Sequence, residues 1–257
     1  MLKVFIAALL ITGVSVVQAE DLVVHSPDGL RLHAIVDLPQ GEGRHPAIVL
    51  APGQGYHMTL PALEATAKAL TSQGIAVFRF NWAYFSSEPK GEPSPDLSKE
   101  LRDLQAVLET ARVHPRVSAQ HLSVGGKSLG SVVAWRALSA NKDLRSGLFL
   151  TPICSRLAKG ETVPKSEATV NYPGFDSEQR PTLWVSGDRD PLCSPTALYG
   201  FAATGAKAAR VAVVGGDHSY EDKQLPQAAA EAARHRNLSA VSAVAAAFVA
   251  EASSIRP

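Results

Sequence analysis

The chain has 257 residues, 46% of them hydrophobic and 19% charged, a balance that places it among globular chains and excludes intrinsic disorder. With 25 basic and 24 acidic side chains its formal charge is +1, so no strong field steers it toward nucleic acid or an anionic membrane. A chain of this length buries enough surface to fold as an α/β domain without a metal or a disulfide framework.

Residues 1–19 read as a secretory leader. Lys3 gives a basic start, and Val4 to Val17 is apolar except at Thr12, Gly13 and Ser15. Val17-Gln18-Ala19 has the small flanking residues that a signal peptidase requires, so cleavage is expected after Ala19. The apolar run is too short for a membrane-spanning helix, so no membrane anchor is expected after cleavage. The expected product is a single domain over residues 20–257, exported to the periplasm or beyond, with a net charge near zero once Lys3 is lost. Cys154 and Cys193 would then meet an oxidising compartment, where thiols tend to pair; two cysteines alone leave pairing and two buried free thiols equally open. They are too few ligands for a metal site.

Leu22 to Val24 and Leu30 to Leu38 read as strands joined at Asp28-Gly29, a strong hairpin dipeptide. Ala47 to Leu50 is a continuous apolar run, as in a strand buried on both faces. Helical spacing follows over Pro61 to Ser72, a strand over Ile75 to Phe80, and a helix over Leu97 to Val113. His121 to Val124 is a strand and Ser128 to Ala140 a helix. Leu148 to Leu150, Thr182 to Val185 and Val211 to Val214 are strands, with helices over Pro195 to Ala203 and Asn237 to Ala250. Strands alternating with helices predict a mostly parallel sheet covered on both faces, with the opening hairpin as an antiparallel edge. In such sheets ligands bind beyond the carboxyl ends of the strands.

The chemistry gathers at those ends. Gly126-Lys127-Ser128-Leu129-Gly130 fits G-x-S-x-G between a strand and an apolar helix, the context that makes Ser128 a candidate nucleophile. The glycines let a tight strand-to-helix turn close, and the helix amino end faces developing negative charge. Two other patterns fail. A phosphate-binding loop would need glycine where His121 stands, and a dinucleotide fingerprint starting at Gly53 would need glycine where Met58 stands.

A serine hydroxyl needs a base to take its proton. His218 follows the last strand at the same sheet edge and completes the chain order Ser, Asp, His. His57 lies at that edge too, placed to flank a pocket, while His25, His33, His45, His114, His121 and His235 fall in hairpin, connector or helix positions. The acid that orients the imidazole is sought in Ser186-Gly187-Asp188-Arg189-Asp190; Asp190, farther into the loop and stiffened by Pro191, is preferred, with Asp188 as a turn cap and Asp217 a distant third. An oxyanion hole requires backbone N–H groups where negative charge develops. Leu129 should supply one and Gln54, in the glycine-bearing loop after the Ala47 strand, the other.

These motifs, in this order, resemble the α/β hydrolases over essentially the whole mature length. Val77-Phe78-Arg79-Phe80-Asn81-Trp82-Ala83-Tyr84, followed by the Gly125-Gly126-Lys127-Ser128 elbow, is similar to the KANL and testis-expressed-protein branch, related to dienelactone hydrolases. Two departures stand out: Pro52-Gly53 replaces the usual His-Gly, and Ser131 replaces the glycine that often follows the elbow. In the fold this resemblance implies, the strands preceding Cys154 and Cys193 are neighbours, which favours a disulfide bracing the Asp190 loop. The polar stretch Ser155 to Arg180 has room for a small lid but lacks the apolar helix of a lipase lid. Trp82, Tyr84, Phe85 and Tyr172 are candidates to line the pocket, although packing is the commoner role for any one of them.

The expectation is a serine hydrolase acting on a small-molecule acyl substrate, with no metal, no cofactor and no nucleic-acid partner, its oligomeric state left open. A non-catalytic binding module and a peptidase on the same fold are the alternatives. No H-E-x-x-H or comparable metal cluster occurs in the sequence.

Overall fold

A computed structural model describes residues 18–88, 91–156, 165–205 and 208–254. Most of the expected leader, residues 1–17, lies outside the described residues. The elements in chain order are β1 (Gln18–His25), β2 (Arg31–Leu38), β3 (His45–Ala51), α1 (Pro61–Ser72), β4 (Ala76–Phe80), α2 (Ala83–Ser87), α3 (Ser98–Val113), β5 (Val117–Lys127) and α4 (Leu129–Ala140). They continue with β6 (Gly147–Leu150), β7 (Ser155–Arg156), β8 (Lys165–Ser166), α5 (Ala168–Asn171), a 3-10 turn (Phe175–Ser177), β9 (Thr182–Gly187), α6 (Pro195–Ala203), β10 (Ala209–Val214) and α7 (Gln227–Ser254).

Eight strands form one sheet in the order β1-β2-β4-β3-β5-β6-β9-β10. All neighbours from β4 to β10 are parallel, while β2 runs antiparallel to both β1 and β4. The opening hairpin is therefore the sheet's antiparallel edge, as its turn dipeptide predicts. Alternation then divides the core. Ala47, Val49 and Ala51 of β3 join the cluster under α3 and α4, while Ile48 and Leu50 join the cluster under α1 and α7. Burial on both faces is what the continuous apolar run of β3 demands.

α7 begins ten residues before its apolar spacing suggests, at Gln227 rather than Asn237. Alanines carry its first turns: they propagate a helix well but mark no buried stripe, and the burial of large side chains starts only at Val241. The described parts of Ser155 to Arg180 form the small β7–β8 ladder, α5 and the 3-10 turn. They are anchored in the core by Tyr172 and Phe175, whose rings lie 4.8 and 5.3 Å from that of Trp184.

Candidate active site

β5 runs to Lys127 and α4 starts at Leu129, so Ser128 alone makes the turn between them. Its backbone is strained, with φ 53° and ψ −120°. The flanking glycines are required by close approach. A Cβ on Gly126 would collide with the Gly130 carbonyl, and one on Gly130 would collide with the Ala51 carbonyl. The elbow is thus folded onto itself and onto the end of β3.

Three side chains from separate loops converge here. Ser128 Oγ lies 2.8 Å from His218 Nε2. His218 Nδ1 lies 2.9 Å from Asp190 Oδ2 and 3.0 Å from Oδ1. An ionised carboxylate only accepts, so Nδ1–H donates to Asp190 and Nε2 is left to accept the serine proton. The Asp190 side chain is 0% exposed and that of His218 22%, so the acid is shielded while the base meets the surface. Leu192 N–H donates to Asp190 Oδ1 at 2.9 Å. Ser186 Oγ is 3.2 Å from Asp190 Oδ2 but 2.7 Å from the Cys193 carbonyl, and its single proton goes to the shorter contact. Asp188 instead accepts Gly216 N–H at 2.7 Å, the turn-capping role expected of it, and Asp217 accepts the N–H groups of Ser219 and Glu221 at 2.8 and 3.1 Å.

Leu129 is the first residue of α4, where helical N–H groups have no partner within the helix. On the opposite side, a Cβ on Gly53 would come within 3.3 Å of Ser128 Cβ, so Gln54 directly follows a close approach of its loop to Ser128. The Gln54 carboxamide donates to Glu92 Oε2 at 2.6 Å.

The residues holding this loop belong to the stretch that carries the branch resemblance, although the sequence assigned them no role in holding it. Trp82 Nε1 donates to the Pro52 carbonyl at 3.0 Å, Arg79 Nη1 to the Met58 carbonyl at 2.8 Å, and Met58 N–H to Asn81 Oδ1 at 2.9 Å. Arg79 also makes a buried, two-bonded pair with Asp37, at 2.8 and 3.1 Å. The Arg79-Phe80-Asn81-Trp82 stretch is therefore a clamp on the 52–58 loop. Trp82 is fully buried, packed edge-on against Phe80 with ring centroids 4.8 Å apart. Tyr172 borders a cavity with Phe175 and Phe201 that contains none of Ser128, Asp190 and His218. Buried at 1% exposure, it accepts Ile153 N–H at 2.7 Å and donates to Ser131 Oγ at 2.8 Å, and Ser131 donates to the Ser128 carbonyl at 2.6 Å. Burial pushes the Tyr172 hydroxyl well above its ordinary pKa, so it stays protonated in that chain. Ser131 thus ties the elbow to the core. Phe85 stays half-buried, its ring centroid 5.8 Å from that of His57 in an edge-to-face arrangement.

Cys154 and Cys193 form a disulfide, with Cα atoms 4.7 Å apart. Leu192 lies between Asp190 and Cys193, and its carbonyl accepts the N–H groups of Cys154 and Ser155, each at 2.9 Å. The bridge therefore braces the acid's loop. It joins residues 39 apart, and losing a loop closure of that size costs about 4 kcal/mol. Cys154→Ala with Cys193→Ala is expected to lower the thermal midpoint by about 8–16 °C. Calorimetry of the double variant checks this, and an unchanged midpoint would remove the bridge's structural role.

A family defined by the alpha/beta hydrolase domain matches residues 44–250. The chain belongs to that family. As an α/β hydrolase it has solved structural relatives. An α/β serine hydrolase without lid from Xanthomonas campestris is 22% identical, with a TM-score of 0.64, covering 93% of this chain and 97% of that one. Est1E from Butyrivibrio proteoclasticus is 18% identical, with a TM-score of 0.67 and coverage of 90% and 98%. The esterase domain of a Rhodothermus marinus protein is 18% identical, with a TM-score of 0.64 and coverage of 91% and 98%. At these identities the shared property is the fold. Comparison of this hydrolase with curated protein sequences finds no match.

Proposed function

We propose that this α/β hydrolase cleaves carboxylic esters or related acyl bonds through a serine nucleophile. The observation that carries the reading is the unbroken path from Ser128 Oγ through His218 to the buried Asp190. Ser128 Oγ attacks the acyl carbonyl carbon while His218 Nε2 takes its proton. The carbonyl π electrons move to oxygen, which the N–H groups of Leu129 and Gln54 receive. Collapse of this adduct breaks the bond to the leaving alcohol, to which His218 returns the proton. Water, deprotonated by the same nitrogen, then attacks the acyl-serine, releasing the acid and restoring the hydroxyl. Asp190 holds the tautomer throughout and stabilises the imidazolium without taking the proton.

A shielded acid, an accepting imidazole nitrogen and a strained serine together favour turnover over simple binding. The positive φ at a sharp strand-to-helix turn suits the presentation of an exposed nucleophile. One Est1E structure is described with ferulic acid bound, so an ester panel should include feruloyl esters beside straight-chain acyl groups. The finer resemblance to the KANL and testis-expressed-protein branch is carried by Arg79, Asn81 and the Gly-Gly-Lys-Ser elbow. Export is supported by the leader-like residues 1–19 and by a disulfide, which persists in an oxidising compartment.

A fluorophosphonate probe tests the reading directly, because only an activated serine is phosphonylated. Labelling is expected at Ser128 alone, located by peptide mass spectrometry. A folded protein that takes no label would overturn the proposal in favour of a non-catalytic module.

A further inference from the structure

The residue before the nucleophile is a lysine in an unusual place. Lys127 ends β5 with only 2% of its surface exposed. Its Nζ donates to the main-chain carbonyl of His218 at 2.9 Å and lies 4.7 Å from the ring centroid of Tyr56, in the loop that carries Gln54. One side chain thus reaches from the elbow to the loops on either side of it. Taking an ammonium out of water costs several kcal/mol unless neighbours compensate. Here they do in part. Asp190 of the β9–α6 loop and Asp217 and Glu221 of the β10–α7 loop surround it with negative charge, and Arg234 of α7 pairs with Glu221 at 3.5 Å. Tyr56 supplies an aromatic face.

The rest of the His218 loop is anchored elsewhere. Gly216 N–H is held by Asp188, the Tyr220 carbonyl by Asn237, and the Tyr220 hydroxyl by the Val185 carbonyl. Among the described residues, the bond from Lys127 is the side-chain bond to the His218 main chain.

We infer that Lys127 is a positioning residue: its ammonium holds the main chain of His218 against the elbow and so keeps the imidazole at attack distance from the adjacent Ser128. This rests on the proposed serine-hydrolase reading and deepens it. Lys127 touches no reacting atom. Its effect should fall on kcat and leave KM nearly unchanged. Burial, only partly opposed by Asp190, Asp217 and Glu221, pulls its pKa down to about 8. The proton is therefore lost in mild alkali, which weakens the donor and the contact with Tyr56. A fall in kcat centred near pH 8 should follow.

The experiment uses the full chain and its Lys127→Met and Lys127→Arg variants, with melting curves to confirm folding. Two quantities are read: kcat and KM for p-nitrophenyl acetate across pH, and the low-field proton resonance of His218 Nδ1–H, which needs no substrate. Lys127→Met is expected to lower kcat roughly 10- to 100-fold, the scale of a slight misplacement of a catalytic group. It should abolish the alkaline inflection and broaden the ring resonance. Lys127→Arg keeps its charge in alkali and should recover part of the rate without the inflection. The inference is overturned if Lys127→Met keeps the wild-type kcat and ring resonance, or if the wild-type rate stays flat through mild alkali. That second arm holds even if neither variant folds. A wild-type protein that neither hydrolyses esters nor takes the fluorophosphonate label defeats the proposed function instead, and the ring resonance then decides the role of Lys127 alone.

Discussion

Ser128→Ala is expected to reduce kcat for p-nitrophenyl ester hydrolysis by about a millionfold, the scale seen when a triad nucleophile is removed. The path to His218 loses its only proton donor, and no other hydroxyl is brought to His218 Nε2 among the described residues. The fold should survive, because among the described residues this is the hydrogen bond that Oγ makes, and the main chain of Ser128 stays tied to the Leu150 carbonyl at 2.9 Å. Alanine inherits the positive φ of 53°, whereas glycine does not suffer there. Ser128→Gly should therefore be equally inactive and more stable than Ser128→Ala by about 1 kcal/mol. Turnover numbers and denaturant midpoints of the two variants check both statements. Retained turnover in either variant would remove Ser128 from its role.

Asp190→Asn is expected to cost about four orders of magnitude in kcat while leaving the fold intact. The reason is geometric. Leu192 N–H points at Oδ1, so the amide oxygen of asparagine settles there and its NH2 group takes the place of Oδ2. That places a donor 2.9 Å from His218 Nδ1. Because this contact is shorter than the 3.0 Å one to the amide oxygen, the imidazole is drawn to accept at Nδ1 and carry its proton on Nε2, where it can no longer take one from Ser128. The NH2 group also meets Ser186 Oγ, whose proton is already given to the Cys193 carbonyl, so the amide is fully satisfied in the wrong arrangement. Nitrogen chemical shifts of the His218 ring in the variant report the tautomer. Finding Nδ1 still protonated together with a wild-type rate would remove Asp190 from its part.

Much of this arrangement is legible in the sequence. α1 and α6 begin at Pro61 and Pro195 and end where their apolar spacing ends, because proline at a first helical position is a local signal with a local cause. The convergence of Ser128, Asp190 and His218 was legible for another reason. Each sits just after a strand of a parallel sheet, and the topology brings such positions to one edge. What escaped was set by partners remote in sequence. Lys127 meets His218 from 91 positions away, Trp82 meets Pro52 from 30, and Tyr172 meets Ser131 from 41. No periodicity encodes such pairs, and an aromatic ring such as Tyr172 suits a pocket wall and a core alike, so the sequence leaves both roles open with packing the commoner. α2 and the β7–β8 ladder are too short to establish any period at all.

The buried lysine makes durability and speed diverge with pH. In the unfolded chain its amine keeps the ordinary pKa of 10.5, while in the folded one it releases its proton at about 8. Between those values the unfolded form holds more protons, so the folded form gains about 3 kcal/mol as the solution is made more alkaline, and loses that gain again on return through 8. Over the same interval the loop carrying the base loses its charged tether. Through mild alkali this protein should therefore gain resistance to unfolding while it loses speed, so a buffer chosen for storage there is a poor one for assay.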